Sequence, residues 1–217
     1  MEVYQYSCYI TYLTVGMVLM DSKEKILNVA FTLFLQKGYR DVSLKEIVKE
    51  VGLTKGAFYH YFDGKEQLFT EVIDGYFISL SDHIYEQLPK VHLEMFMTGY
   101  QKVLSEQIDR LTKDAVKEKT ISLSYYYFAF DALRILPDFG VKMQEIQFRE
   151  EQTWIEVIEN AIASGEIISS IDSQEIARLF ISSKDGLGIQ VILENRLKQF
   201  SKEIFNLWVS IYKLIKA

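Results

Sequence analysis

Four neighbouring residues within residues 42–68 have the types and spacing needed to contact a nucleic acid. Lys55 carries positive charge, and Gly56 has no side chain to keep a partner's backbone at a distance. Tyr59 and His60 offer flat groups with polar tips, which suit phosphates, thymine methyls and base edges. Long charged side chains would be expected here if the face were only solvated, so this set indicates a binding surface.

Two short helices joined by a tight turn are predicted to position these residues. Ser43 can cap the first helix, with Glu46 three residues later closing a capping box. Gly52 can take the left-handed backbone conformation that ends a helix, and Thr54 can cap the second helix, Lys55 to Tyr61. The residues predicted on the buried side are Leu44, Ile47, Leu53, Phe58 and Phe62. This is the helix-turn-helix pattern, which places its second helix in a DNA major groove.

A further helix follows at once, with Asp63 and Glu66 at its start. Lys65 lies in its first turn, where the helix dipole disfavours a cation. A lysine at this position is explained if it reaches a phosphate together with the adjoining backbone amides.

This stretch resembles the signature of the tetracycline-repressor (TetR) family of one-component regulators, over about 50 residues from Ser22 to Phe69. The matching positions are Val42-Ser43, Glu46-Ile47, Val51-Gly52-Leu53-Thr54, Gly56, Phe58-Tyr59, Tyr61-Phe62 and Lys65-Glu66-Gln67-Leu68. Phe58 stands where leucine is commoner in the family, and Val48 where alanine is usual. A helical hairpin whose aromatic residues are simply core is the alternative reading.

The resemblance implies DNA contacts by a defined set of side chains. The predicted DNA-binding residues are Ser43, Lys45, Thr54, Lys55, Gly56, Ala57, Tyr59, His60, Tyr61 and Lys65. By resemblance, Tyr59 and Lys65 hold the DNA backbone. By the same resemblance, the residues that recognise the base sequence of the DNA are Lys45, Lys55, Ala57 and His60.

The distribution of charge agrees with a separate DNA-binding segment. The chain of 217 residues carries a net charge of −6, which by itself is unfavourable for binding DNA. Residues 20–69, however, hold eight Lys and Arg against seven Asp and Glu, whereas residues 70–217 hold 16 against 22. The single cysteine, Cys8, excludes an intramolecular disulfide and fits a reducing, cytoplasmic setting.

Residues 1–19 differ in composition from the rest of the chain, since they are rich in Tyr and β-branched residues and contain no Lys or Arg. They lack the basic start of a secretory signal, and their apolar run is too short to span a bilayer. We expect this leader to lie outside the fold and Met20 to be the physiological start.

Long amphipathic helices are predicted for the rest of the chain, because it has only two prolines and no alternation typical of strands. The first helix is expected over residues 22–37 and the fourth over 64–87. Further helices are expected over residues 91–112, 116–135, 138–164, 172–197 and 200–216. The predicted fold is all-α, with an N-terminal three-helix DNA-binding head at residues 20–68 and a larger helical ligand-binding and dimerisation domain at residues 69–217.

Helices 138–164 and 172–197 are candidates for a homodimer interface. The resemblance implies a four-helix bundle across a twofold axis, and two symmetry-related heads are needed to read a palindrome. The candidate interface residues are Ile146, Ile155, Ile158, Leu179, Phe180, Ser183, Gly186, Leu187 and Gln190. Packing in the chain's own core is the alternative for each of them.

Amphipathic residues near apolar stretches indicate a small-molecule pocket in the middle helices. The candidates are His92, Tyr100, Tyr126, Phe130, Arg134, Trp154 and Asp185. A tyrosine-rich core with a few surface charges is the alternative.

No nucleophile, phosphate-binding or metal-binding motif is found, so we expect neither an enzyme nor a cofactor or metal. The sequence therefore predicts a cytoplasmic, ligand-responsive regulator, most simply a repressor that a small-molecule inducer releases from a palindromic operator. A helical protein-interaction module that has lost DNA binding is the alternative.

Overall fold

A computed structural model describes residues 22–75, 84–85, 88–113 and 118–217, without the side chains of residues 110–113 and 118–126. Nine α-helices and no strands lie within these ranges. The all-α prediction is confirmed. The chain forms two compact units, divided between Val72 and Ile73. The predictions for residues 1–19 and for the fourth helix beyond Gly75 fall largely outside the described ranges.

The first unit begins with three helices, α1 (Ser22–Asp41), α2 (Leu44–Val51) and α3 (Lys55–Tyr59). Helix α4 (Lys65–Ile73) follows. Gly38 interrupts α1 with φ 78° and ψ 162°, so the regular helix stops where the sequence predicts, before a last turn that reaches Asp41.

Large apolar side chains fill the interior of the first unit. The fully buried ones include Ile26, Phe34, Ile47, Phe58, Phe62, Leu68 and Phe69. Phe34 and Phe69 meet edge to face at 5.1 Å between ring centroids, which joins α1 to α4. On α1, Leu33 is buried, whereas Leu27, Phe31 and Leu35 are only half-buried.

The second unit contains α5 (Leu93–Lys113), α6 (Glu118–Ile135), α7 (Phe139–Ala163), α8 (Ser173–Leu193) and α9 (Phe200–Ile215). A short 3₁₀ turn, Leu197–Gln199, precedes α9. Helix α8 ends four residues before its predicted end at 197, because Asn195 adopts a left-handed φ of 55° and the chain turns there. The Ile168 amide donates to the Ile215 carbonyl at 2.8 Å, which fastens the loop after α7 to the end of α9.

Helices α5, α7, α8 and α9 enclose one apolar core in the second unit. Trp154 and Trp208 lie at its centre, and both are fully buried. None of the helices that the structure describes combines the length and apolarity needed to cross a membrane.

Candidate functional site

Side-chain caps fix the two helices of the helix-turn-helix. The Ser43 hydroxyl accepts the Glu46 amide, and the Thr54 hydroxyl accepts the Ala57 amide, each at 3.2 Å. Between the helices Gly52 adopts φ 77°, and its amide donates to the Val48 and Lys49 carbonyls at 3.1 Å. Both predicted caps and the predicted turn are confirmed.

Burial separates the two faces of α3 as the helical repeat predicts. Phe58 and Phe62 are each 1% exposed, whereas Tyr59 is 52% exposed. Of the ten predicted DNA-binding residues, seven are exposed: Ser43, Lys45, Thr54, Lys55, Gly56, Tyr59 and His60. The other three, Ala57, Tyr61 and Lys65, are half-buried. We call these ten residues the DNA-facing surface, because each of them is predicted to contact DNA.

Nothing in the part of the chain that the structure describes requires a glycine at position 56. A Cβ built on Gly56 comes no nearer to another residue than 4.0 Å, at Thr54 Oγ1. Gly costs about 0.5–1 kcal/mol relative to Ala inside a helix, so a glycine with no internal packing need calls for another reason. The close approach of another molecule to α3 is such a reason.

Lys65 is engaged inside the first unit. Its Nζ donates to the Val42 carbonyl at 2.6 Å and lies 4.1 Å from the centroid of the Tyr39 ring. The ammonium thus joins the start of α4 to the residues around the α1–α2 turn.

A carboxylate near the DNA-facing surface is neutralised by a lysine. Lys37 forms an ion pair with Glu46 on α2. The hydrogen bond from Lys37 holds the pKa of Glu46 below its usual value, assisted by the Ser43 backbone amide. The pairing reduces the repulsion that this acidic side chain would exert on a nucleic acid.

The second unit contains a buried polar cluster, which we define as Tyr85, Tyr100, Glu150 and Lys184. Lys184 Nζ lies 2.6 Å from Glu150 Oε1, and the Tyr85 hydroxyl also donates to that oxygen. The exposed fractions of the Glu150 and Lys184 side chains are 9% and 14%.

Burial alone lowers the pKa of Lys184, but attraction to the Tyr100 oxygen, Glu150 and Asp185 outweighs burial and raises it. The pKa of Tyr85 is raised by burial first, then by Tyr100 and Glu150. Lys184 therefore keeps its positive charge, and because burial also raises the pKa of Tyr100, both phenols keep their protons at neutral pH.

An aromatic layer adjoins this cluster. Helices α5, α7 and α8 each contribute one residue to the cluster and, four positions away, one residue to the layer. Tyr100, Glu150 and Lys184 are each one turn from Phe96, Trp154 and Phe180 respectively. Trp154 stacks on Phe180 with 4.9 Å between centroids and meets Phe96 and Trp208 edge to face, each at 4.8 Å.

The predicted ligand-binding residues do not all come together. Tyr100 and Trp154 both lie in the core, and each contacts the Trp208 ring. Asp185 is exposed and lies 3.3 Å from Lys184 Nζ. Phe130 and Arg134 are exposed on α6, and the side chain of Tyr126 is outside the described part of the structure. His92 lies in an open surface pocket of about 480 Å³, 3.3 Å from Glu166.

Sequence analysis missed Tyr85, Glu150 and Lys184, although the sequence contains a signal for two of them. Glu150 falls in the middle of the buried stripe of α7, and Lys184 falls in the middle of the buried stripe of α8. A charge in the centre of an apolar stripe requires a buried partner.

The predicted dimer residues divide into two groups. Ile146, Ile158 and Phe180 are packed inside their own chain, and the interface prediction is corrected there, because these side chains present no surface to a partner. The remaining positions are half-buried or exposed: Ile155, Leu179, Ser183, Gly186, Leu187 and Gln190.

Comparison with known proteins adds independent findings. Residues 26–72 match the sequence model described as "Bacterial regulatory proteins, tetR family". The HTH-type transcriptional regulator YxaF of Bacillus subtilis is 44% identical over 68 residues, which are 31% of this chain and 35% of that protein. The chain therefore spans only about a third of that relative.

Two similarities extend over most of the chain. The HTH-type transcriptional regulator YvdT of Bacillus subtilis is 28% identical over 188 residues, covering 84% of this chain and 90% of that protein. A Saccharomonospora viridis protein in complex with choline has a TM-score of 0.64 at 18% identity, covering 90% of this chain and 98% of that one. The resemblance inferred from residues 42–68 is confirmed: residues 26–72 carry the sequence pattern of the tetR family of bacterial regulatory proteins.

Proposed function

We propose that this protein is a homodimeric, DNA-binding repressor of transcription that a small-molecule inducer releases from a palindromic operator. The exposed face of α3 is the observation that carries the proposal. It combines the cation of Lys55, the bare backbone of Gly56 and the exposed ring of Tyr59 on a helix held by Thr54. These groups suit the phosphates and base edges of a major groove.

Within the DNA-facing surface the residues have two roles. Tyr59 and Lys65 hold the DNA backbone, as their match to the family pattern implies. Ser43 and Thr54 join them, since each hydroxyl accepts a cap hydrogen bond and still has its own proton to donate to a phosphate. The residues that read sequence are Lys45, Lys55, Ala57 and His60.

Two exposed apolar stripes support dimerisation through α7 and α8. On α7, Val141, Phe148 and Ile162 are 56%, 62% and 39% exposed. Together with half-buried Ile155 they recur at every seventh residue. This spacing keeps side chains on one face of a helix, as in helical bundles.

Helix α8 carries the second stripe. Leu179 and Leu193 are 53% and 69% exposed, with Gly186 midway between them, and Ile189 is 49% exposed. Because α7 and α8 pack on each other, their stripes supply two helices from each protomer to a four-helix interface. Phe148→Lys and Leu179→Lys should each give monomers in sedimentation analysis, whereas Lys202→Ala should leave the dimer intact.

The inducer shifts the population of the dimer between conformations that differ in the separation of the two DNA-binding heads. When it binds the second unit, it favours a head separation that no longer matches successive major grooves, about 34–36 Å apart. Bound inducer then weakens operator binding by a factor set by the coupling free energy between the two sites. Bound operator weakens inducer binding by the same factor. The choline complex of the Saccharomonospora protein supports small-molecule binding by this fold. We place the protein in the cytoplasm, where a regulator reaches the chromosome.

Fluorescence anisotropy with a labelled operator tests the proposal. Tyr59→Ala and Lys55→Ala should each weaken binding by about tenfold, the loss of one contact of roughly 1.4 kcal/mol. Lys202→Ala is the charge-matched control, because Lys202 is an exposed lysine on α9 of the second unit. Equal losses in Lys55→Ala and Lys202→Ala would mean that only net charge matters, and unchanged affinity in Tyr59→Ala would mean that the exposed ring makes no contact. Either result would contradict the proposed surface.

A further inference from the structure

Trp154 differs from every other buried polar side chain in the part of the chain that the structure describes. Its Nε1 is buried and has no hydrogen-bond partner within the chain, although the residue is 0% exposed. Trp208 lies beside it and is satisfied, because its Nε1 donates to the Phe180 carbonyl at 3.0 Å and to Ser183 Oγ at 3.2 Å. A buried donor without an acceptor costs about 1–3 kcal/mol, so its retention needs a reason.

The surroundings of Trp154 limit what could supply the acceptor. Its ring packs against Phe96, Phe180 and Trp208, all within 5 Å between centroids. Flat aromatic side chains favour a flat aromatic guest, since rings gain from stacked and edge-to-face contacts.

The neighbouring charges limit the guest further. Glu150, one turn from Trp154, is already bound to Lys184 at 2.6 Å and to the Tyr85 hydroxyl. The ion pair therefore carries no net charge, and its carboxylate is not available to attract a cation. A charged guest would also lose its hydration in this buried layer without a counter-ion.

We propose that Trp154 marks a binding site for a neutral aromatic molecule with one oxygen acceptor, which receives the indole N–H while its ring lies among Phe96, Phe180 and Trp208. This inference rests on the proposed inducer response, for which it names the ligand class. A guest there touches helices α5, α7, α8 and α9 together, since each of them contributes one of these rings.

The test uses three probes of nearly the same shape on the whole protein. Acetophenone has a carbonyl acceptor, α-methylstyrene replaces that oxygen by a methylene group, and benzoate carries a charge. The indole N–H signals of the two tryptophans are followed by proton–nitrogen NMR and assigned with Trp154→Phe. Acetophenone should shift the Trp154 signal saturably and bind about five- to tenfold more tightly than α-methylstyrene, the equivalent of one hydrogen bond. Benzoate should bind more weakly than acetophenone.

Two variants separate this contact from general packing. Trp154→Phe keeps an aromatic ring and removes the N–H, so the preference for acetophenone over α-methylstyrene should disappear. Trp208→Phe is the matched control, because it removes an N–H that is already paired, and the preference should persist in it. Circular dichroism confirms that each variant is folded.

Three results would overturn the site: no saturable shift with acetophenone, equal affinity for α-methylstyrene, or a Trp154 indole proton that exchanges magnetisation with a bound water. Operator release is measured separately by anisotropy. If acetophenone binds but does not release the operator, the site stands and its proposed role in induction is refuted. Operator release by another compound that does not move the Trp154 signal would mean that the inducer acts elsewhere and would refute the ligand class proposed for it.

Discussion

Lys65 offers the sharpest test of how the DNA-facing surface is built. The resemblance makes it a phosphate contact, yet its ammonium donates to the Val42 carbonyl at 2.6 Å and lies 4.1 Å from the Tyr39 ring. We expect it to hold the first unit together as well as to contact DNA. Lys65→Met removes the charge while keeping most of the side chain's length.

The size of the effect follows from these two contacts. A hydrogen bond from a charged donor contributes about 1.5–3 kcal/mol, and a cation–π contact about 0.5–2 kcal/mol. Because one ammonium makes both contacts and ordering it costs side-chain entropy, we expect a loss of about 2–4 kcal/mol rather than the full sum. Lys55→Met is the control, since exposed Lys55 should lose DNA affinity at nearly unchanged stability.

Urea unfolding measures this loss. Both tryptophans lie in the second unit, so tryptophan fluorescence follows that unit, whereas far-UV circular dichroism follows both. The Lys65→Met transition should move to lower urea by circular dichroism. In a salt titration Lys65→Met should lose about 0.9 from the slope of log affinity against log salt, the value for one phosphate contact. A change in unfolding free energy within about 0.5 kcal/mol for Lys65→Met would refute the internal role.

Three further predictions concern other parts of the molecule. Gly56→Ala should raise the free energy of unfolding by about 0.5–1 kcal/mol and weaken operator binding about 5- to 150-fold, because the new methyl favours the helix but meets the DNA. Lys184→Met should cost about 3–5 kcal/mol by leaving the Glu150 carboxylate buried and unpaired, and most of this loss should return when Glu150→Leu is added. Glu166→Gln should cost about 1.5–3 kcal/mol at neutral pH, since a charged acceptor is replaced by a neutral one.

The pH dependence of the Glu166 effect has a definite sign. Burial raises the pKa of Glu166, but hydrogen bonds from the Glu94 and Leu93 amides, the Tyr212 hydroxyl and His92 outweigh burial and lower it. A lowered pKa in the folded state means that the stabilisation is present above the ordinary value of 4.5 and is lost as pH falls below it. Urea unfolding over this range should show the wild type and Glu166→Gln converging in acid.

Other results would contradict these predictions. Unchanged operator affinity in Gly56→Ala would mean that no partner approaches that residue closely. Failure of Glu150→Leu to restore the Lys184→Met variant would mean that Lys184 acts through contacts other than the ion pair. A constant difference between the wild type and Glu166→Gln down to low pH would show that the charge of Glu166 is not what stabilises the fold.

Local features of the sequence predicted most of the helix boundaries. The caps at Ser43 and Thr54 and the turn at Gly52 each involve residues within five positions of one another. Each of these local structures is therefore determined by one short stretch of sequence. The end of α8 was missed because asparagine takes the left-handed conformation less often than glycine, and nothing else near Asn195 signals a turn.

Contacts between distant residues could not be predicted in this way. The bond from Lys65 to the Val42 carbonyl spans 23 positions, and the Lys184–Glu150 pair spans 34. Helices α7 and α8 each have one apolar face toward their own core and a second one toward solvent. Periodicity alone does not distinguish these faces, so Phe180 was assigned to the interface although it is 0% exposed.

Selection of bound duplexes from a random-sequence pool tests the central claim most directly. A dimer that presents two α3 helices should enrich an inverted repeat whose half-sites are centred about one helical turn, or a multiple of it, apart. Affinity for the selected duplex should fall steeply with salt. No enrichment at low salt by a folded dimer would contradict the account and would favour a helical interaction module that no longer binds DNA.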